Sequence, residues 1–212
     1  MKRHTLTILL FAAATNFSCG QTIQEIFKSL PSEYSLELTV EAKDSLMQYG
    51  TYTFPGGDSI ETVQCDYHTE KDFIEIVLSF TTGQRAFAVI QLKKFQKIDG
   101  SIVVVYAKYG GLPAAFDQHS LLTFDYVDDS LKRNEHLGLP ETIETSEFLK
   151  EDLPDSVEAD KITFNTSYDV NPLEANSIEY LIDPQTSQFD DWIKTNRFSF
   201  RWNGETFEKM KE

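Results

Sequence analysis

The stretch Ile74-Glu75-Ile76-Val77-Leu78-Ser79-Phe80-Thr81-Thr82-Gly83-Gln84-Arg85-Ala86-Phe87-Ala88-Val89-Ile90-Gln91-Leu92 (residues 74–92) decides how this chain is read. Ile74, Ile76, Leu78 and Phe80 fall at every second position. Ala86, Ala88, Ile90 and Leu92 do the same beyond the turn Thr81-Thr82-Gly83-Gln84. Strand side chains alternate between faces, so the spacing predicts a long antiparallel hairpin with one shared buried face. A helix would have needed a period of about 3.6 residues.

The same rhythm extends both ways. Upstream, Val63, Cys65 and Tyr67 alternate with Gln64, Asp66 and His68. Downstream, Asp99-Gly100 turns the chain into Ile102-Val103-Val104-Val105-Tyr106, apolar at every position, which predicts a central strand covered on both faces. Gly110-Gly111-Leu112-Pro113 is expected to end the pattern and begin a loop, before a strand over 121–127. A polar connection, a short helix near 145–151 and an acidic, proline-bearing loop over 151–160 are expected next. Alternation returns at Ile162, Phe164, Thr166, Tyr168 and Val170, then at Ile178, Tyr180 and Ile182. A helix near 189–194 should lead into Arg197–Trp202, and Asn203-Gly204 reads as a tight hairpin turn that sets Phe200 opposite Phe207.

Two helices precede the strands. Ile23, Ile26, Phe27 and Leu30 share a helical face that stops at Pro31; the second helix has Thr39 as N-cap, Glu41 in its first turn and Gly50 as its C-terminal cap. The expected fold class is therefore α+β: two N-terminal helices packed on a mostly antiparallel β-sheet, in a single domain over 21–212.

The first twenty residues read as an export signal. Lys2, Arg3 and His4 are basic, and the apolar run Leu6–Phe17 is shorter than the roughly 20 residues a spanning helix needs. Ser18 and Gly20 supply the small residues for cleavage between Gly20 and Gln21. A competing reading lipidates Cys19; Ser18 suits it, but Asn16 stands where an aliphatic residue is wanted, and no polar tether follows. The expected location is periplasmic or secreted, or membrane-anchored through Cys19 in the alternative. No later segment is apolar and long enough to span a bilayer.

Composition narrows the function. Asp and Glu number 34 against 19 Lys and Arg, a formal net charge of -15. Nucleic acids and anionic membrane surfaces are poor partners for such a chain, because phosphates must be neutralised by Lys and Arg. Self-repulsion that maintains solubility explains the acidity more simply than a cationic ligand does.

Motif vocabulary for chemistry is sparse. Cys65-x-x-His68 lies on a predicted strand, where residues three apart face opposite ways, so it is not expected to hold a metal. Asp66 and His68 share a face near Glu70 and Asp72, an arrangement that suits proton transfer and equally suits a surface ion pair. Asp117, His119 and Ser120 are triad residue types without a Gly-x-Ser-x-Gly elbow. No calcium loop or phosphate-cradling glycine loop is present, and no cofactor is expected. Most aromatic residues fall on apolar strand faces. Tyr49, Tyr52 and Tyr109 instead lie near loop edges and are the candidates for contact with a ligand.

The run Gln21-Thr22-Ile23-Gln24-Glu25-Ile26-Phe27-Lys28-Ser29-Leu30-Pro31, the strand series and the segment Ser120-Leu121-Leu122-Thr123-Phe124-Asp125-Tyr126 resemble a family of exported Bacteroidetes proteins of unknown function. The resemblance implies a periplasmic or secreted location, cleavage before Gln21 and no functional residue that can be carried over. Proteins exported by that phylum can be O-glycosylated at Asp-Ser/Thr-aliphatic triplets. Ser59, Ser130 and Ser156 sit in such triplets within expected loops, and Ser45 in one within a helix. The expectation is a non-enzymatic interaction module that binds a protein partner or a cell-envelope component. Its alternatives are a hydrolase of envelope or dietary polymers using carboxylates with His68 or His119, and a structural accessory subunit.

Overall fold

The computed structural model describes residues 21–54, 63–80, 86–112, 115–154, 157–158, 162, 164–174, 176–183 and 191–211. Helix α1 (Ile23–Ser29) starts at a reciprocal cap: the Thr22 hydroxyl accepts from the Glu25 amide, and the Glu25 carboxylate accepts from the Thr22 amide at 2.7 Å. Leu30 and Pro31 end it, and a single 3-10 turn over Ser32–Tyr34 follows. Helix α2 (Val40–Tyr49) is capped by Thr39, whose hydroxyl accepts from the Ala42 amide, and closes at Gly50 with φ 74°.

Eleven described strands form two antiparallel sheets. The larger is a meander of β1 (Thr51–Thr53), β2 (Val63–Glu70), β3 (Phe73–Phe80), β4 (Phe87–Gln96), β5 (Ile102–Leu112), β6 (Ala115–Val127) and β7 (Ser130–Arg133), each beside the next. The smaller contains β8 (Asn165–Asp169), β9 (Ser177–Asp183), β10 (Arg197–Trp202) and β11 (Phe207–Lys209), again in chain order.

Strand β5 shows why three layers result. Val104 and Tyr106 join Ile74, Ile76, Ile90 and Leu92 in a core closed by Ile26, Phe27 and Leu46 of the helices. Val103, Val105 and Ala107 point the other way, into a core shared with Tyr168, Tyr180, Phe198 and Phe200 of the smaller sheet. The chain is thus an α+β fold with helices on one face of the larger sheet and the smaller sheet on the other. The single sheet expected from the sequence is corrected to two. Alternation reports that a strand face is buried, and not what covers it.

Other expectations also change. Gly110 and Gly111 continue β5 and pair with Ala88 and Phe87 instead of starting a loop. A Cβ on Gly110 would lie 2.4 Å from the Phe87 carbonyl oxygen, so glycine there permits close pairing of β4 and β5. The helix near 145–151 is one 3-10 turn, Thr145–Phe148. Of the helix expected near 189–194, residues 189–190 lie outside the described residues, 191–192 are in a 3-10 turn, and Ile193 forms an extended bridge with Leu149. The strand expected from Ile162 is assigned from Asn165. At Asn203-Gly204 the loop has four residues: Trp202 opposes Phe207, and Phe200 opposes Lys209. Asn203 explains the longer loop, because its side-chain oxygen accepts from the amides of both Glu205 and Thr206 at 2.9 Å.

No helix among the described residues is long and apolar enough to cross a membrane.

Candidate binding site

The larger sheet presents Glu75, Gln91 and Ala107 as one cross-strand row toward the smaller sheet, with Val77, Val89 and Tyr109 as the next. β8 forms an edge of the smaller sheet. Beside it a cleft of about 360 Å³ opens between Phe73, Glu75, Gln91 and Tyr109 below and Ser167, Tyr168, Asp169, Asn171 and Leu181 above.

Its polar groups are held from both layers. Gln91 is only 5% exposed; its amide donates to Glu75 Oε2 at 2.8 Å, while its oxygen accepts from the Val170 amide at 3.3 Å. A buried amide satisfied on both sides fixes the carboxylate it touches. Asp169 Oδ1 accepts from the Asn171 amide at 2.8 Å, and Asn171 Nδ2 donates to Glu70 Oε2 at 2.9 Å. Lys93 donates to Asn171 Oδ1 and stands 5.9 Å from the centre of the Phe73 ring. Burial lowers the pKa of Lys93, opposed by the charges of Asp72, Glu70 and Asp169.

Tyr109 forms the aromatic wall, meeting Tyr168 edge-on at 6.3 Å between ring centres. Tyr168 in turn packs edge-on against Tyr180 at 5.3 Å, and the two hydroxyls donate to the carbonyls of Glu141 and Pro140. Burial, then the charges of Glu75 and Asp169, push the Tyr109 hydroxyl up to about 12, so it stays a neutral donor at physiological pH.

A second groove of about 490 Å³ shares Asp169 and runs along the outer side of the smaller sheet, past Leu173, Phe198 and Met210. Two of its acidic residues carry cations: Glu174 pairs with Arg201, and Glu179 lies 3.9 Å from Arg197.

Only one of the three tyrosines singled out in the sequence reaches the cleft. Tyr49 is 68% exposed at the end of α2, and Tyr52 packs edge-on against Phe54 beside the helix-side core. The structure therefore separates both from Tyr109. Cys65 is fully buried on the helix side, while His68 is exposed and stands opposite Glu75 in the β2–β3 register. His119 falls at an irregularity of the β5–β6 register, between Gln118 opposite Tyr109 and Ser120 opposite Lys108; its side chain is outside the described set. Ser130 is exposed, directly after Asp128 and Asp129 with φ 51° and 56°. Cys19, Gly20, Ser59 and Ser156 lie outside the described residues. Gln21 donates its amide to Asp129 and accepts from Lys94 Nζ at 3.0 Å. Among the described residues, no group of three or more His, Cys, Asp or Glu is placed to hold a metal ion.

Sequence reading missed Glu75, Gln91, Asp169 and Asn171. One signal was present. Glu75 and Gln91 interrupt apolar strands at positions that the covering sheet turns inward. Compared with family models, curated proteins and solved structures, the chain gives no match.

Proposed function

We propose that this is an exported binding module, one α+β domain over residues 21–212, that engages a protein partner or envelope component at the Tyr109 cleft. The observation carrying this reading is the cleft's construction: an aromatic wall faces polar side chains contributed by two sheets and fixed by the buried Gln91 amide. Export, with cleavage before Gln21 and residence in the periplasm or outside the cell, follows from the basic and apolar start of the chain. Ser130, exposed at a tight turn, is the described serine best placed for an O-glycan.

Photo-crosslinking in the producing cell tests the reading, with the reactive residue placed at Ser167 in the cleft or at Glu208 on β11. An adduct formed from Ser167 and not from Glu208 is expected. Equal labelling from both positions, or none from Ser167, overturns it. Mass spectrometry of the same sample reads the mature N-terminus.

A hydrolase reading draws on one observation, that His68 stands across from Glu75. It requires both groups to act on one bond, so His68→Ala and Glu75→Gln should each abolish release of reducing ends from envelope polymers. Turnover unchanged in either variant removes this reading.

A further inference from the structure

We infer that the cleft receives a single organic cation, a guanidinium or ammonium head on a basic side chain of the partner, between Glu75 and Asp169 and against Tyr109. The inference rests on the binding reading above and names the ligand chemistry. Size is the first argument. A volume of about 360 Å³ is at the low end for ligand pockets and leaves room for a whole basic side chain.

Charge is the second. Among the described residues neither Glu75 nor Asp169 forms an ion pair: Glu75 accepts from an amide side chain, and Asp169 from a backbone amide. The neighbouring groove is different, since Glu174 and Glu179 there have Arg201 and Arg197. Lys93, the cation facing the cleft from β4, gives its ammonium to Asn171 and not to either carboxylate. The hydrogen-bond donors to both half-buried carboxylates are neutral, and the Lys93 charge reaches Asp169 only through space, so an incoming cation recovers Coulomb energy that water supplies poorly in a cleft.

Aromatic walls are the third. Tyr109 is the half-buried ring of the cleft, whereas Tyr168 is buried behind it and Phe73 already has the Lys93 ammonium 5.9 Å from its ring centre; a planar guanidinium can stack on Tyr109 while donating to a carboxylate. Behind burial, the charges of Glu75 and Asp169 both raise the Tyr109 pKa. The net charge of -15 would steer basic partners toward the molecule. An anionic ligand would meet repulsion, and a neutral sugar would leave the Glu75 charge without a cation.

Amide NMR of the isotope-labelled protein tests the inference with Nα-acetyl-arginine amide, Nα-acetyl-lysine amide and the neutral isostere Nα-acetyl-citrulline amide. The cationic compounds should shift the amides of Glu75, Gln91, Tyr109 and Asp169, and affinity should fall about threefold or more between low and physiological salt. Glu75→Gln and Asp169→Asn should each weaken binding about fivefold or more, with unchanged amide positions elsewhere showing that the fold persists. The stronger of the arginine and lysine responses identifies the head group. Equal response to citrulline, or no response to either cation, overturns the cation inference. Adducts from Ser167 in the crosslinking experiment would still uphold the cleft as a binding site, so the two readings fail separately.

Discussion

Cys65 illustrates how burial sets the chemistry of one side chain. It is fully buried in the helix-side core, and burial, then the adjacent Asp66 charge, pushes its thiol up to about 12 from an ordinary value of 9.0. The folded state therefore holds the proton when the unfolded state releases it. The associated stability is present below about pH 9 and is lost as pH rises toward about 12. Between pH 9 and 10 the loss should be about 1 kcal/mol. Urea midpoints of the wild type and Cys65→Val across that interval check this, because their difference cancels contributions from tyrosines and lysines common to both. The wild-type midpoint should fall faster; parallel curves would place the effect elsewhere. The cleft was only partly legible at this scale. Tyr109 stood out as an aromatic residue near an expected loop edge, although β5 continues through Gly110 and Gly111, whereas Glu75 and Gln91 looked like ordinary polar alternates. Their meeting with Asp169 depends on sheet-on-sheet packing that no spacing along the chain encodes.

At the scale of elements, capping chemistry was legible because it is local. Thr39 and Gly50 act on groups within a few residues of themselves; the Thr22–Glu25 pair is equally local but was not read from the sequence. Asn203-Gly204 shows where local reading stops: the dipeptide suits a tight turn, but the Asn203 side chain binds two amides further on and lengthens the loop. Lys43 was not legible as an interior residue. It is 3% exposed on α2, its ammonium donates to the carbonyls of Lys28 and Leu30 at the end of α1, and it lies 5.7 Å from the Phe27 ring centre. The lysine thus satisfies carbonyls that α1 leaves without helical partners, and its charge is desolvated, which lowers its pKa. Lys43→Met keeps most of the packing volume and removes the donors. A loss of about 1–3 kcal/mol in urea unfolding is expected, with fewer protected amides in α1 by hydrogen exchange. Unchanged stability would show that water replaces the ammonium without cost.

On the scale of the whole molecule, the question is whether the two sheets unfold together. Direct hydrogen bonds join them: Trp202 Nε1 donates to the Gln96 carbonyl at 3.1 Å, Ile98 N to Gly204 O at 3.0 Å, and Val170 N to Gln91 Oε1 at 3.3 Å. Phe95 of the larger sheet packs against Trp202 and Phe207, with ring centres 5.7 and 5.1 Å away. Of the two tryptophans of the chain, Trp202 belongs to the core between the sheets and the partly buried Trp192 packs against it, whereas α1 and α2 lie beyond the other face of the larger sheet. Tryptophan fluorescence therefore follows the contact between sheets, and far-UV circular dichroism follows all three layers. Because β5 lines both cores, disruption of one removes support from the other, and the two signals should change at the same urea concentration. Trp202→Phe retains a ring while deleting the donor to Gln96. It should lower stability by about 1–2 kcal/mol and keep the transitions coincident, with Trp192 as the remaining reporter. If fluorescence changes first in either protein, the smaller sheet separates before the helical side unfolds. The cleft, which needs both sheets, would then be lost while much of the secondary structure remains.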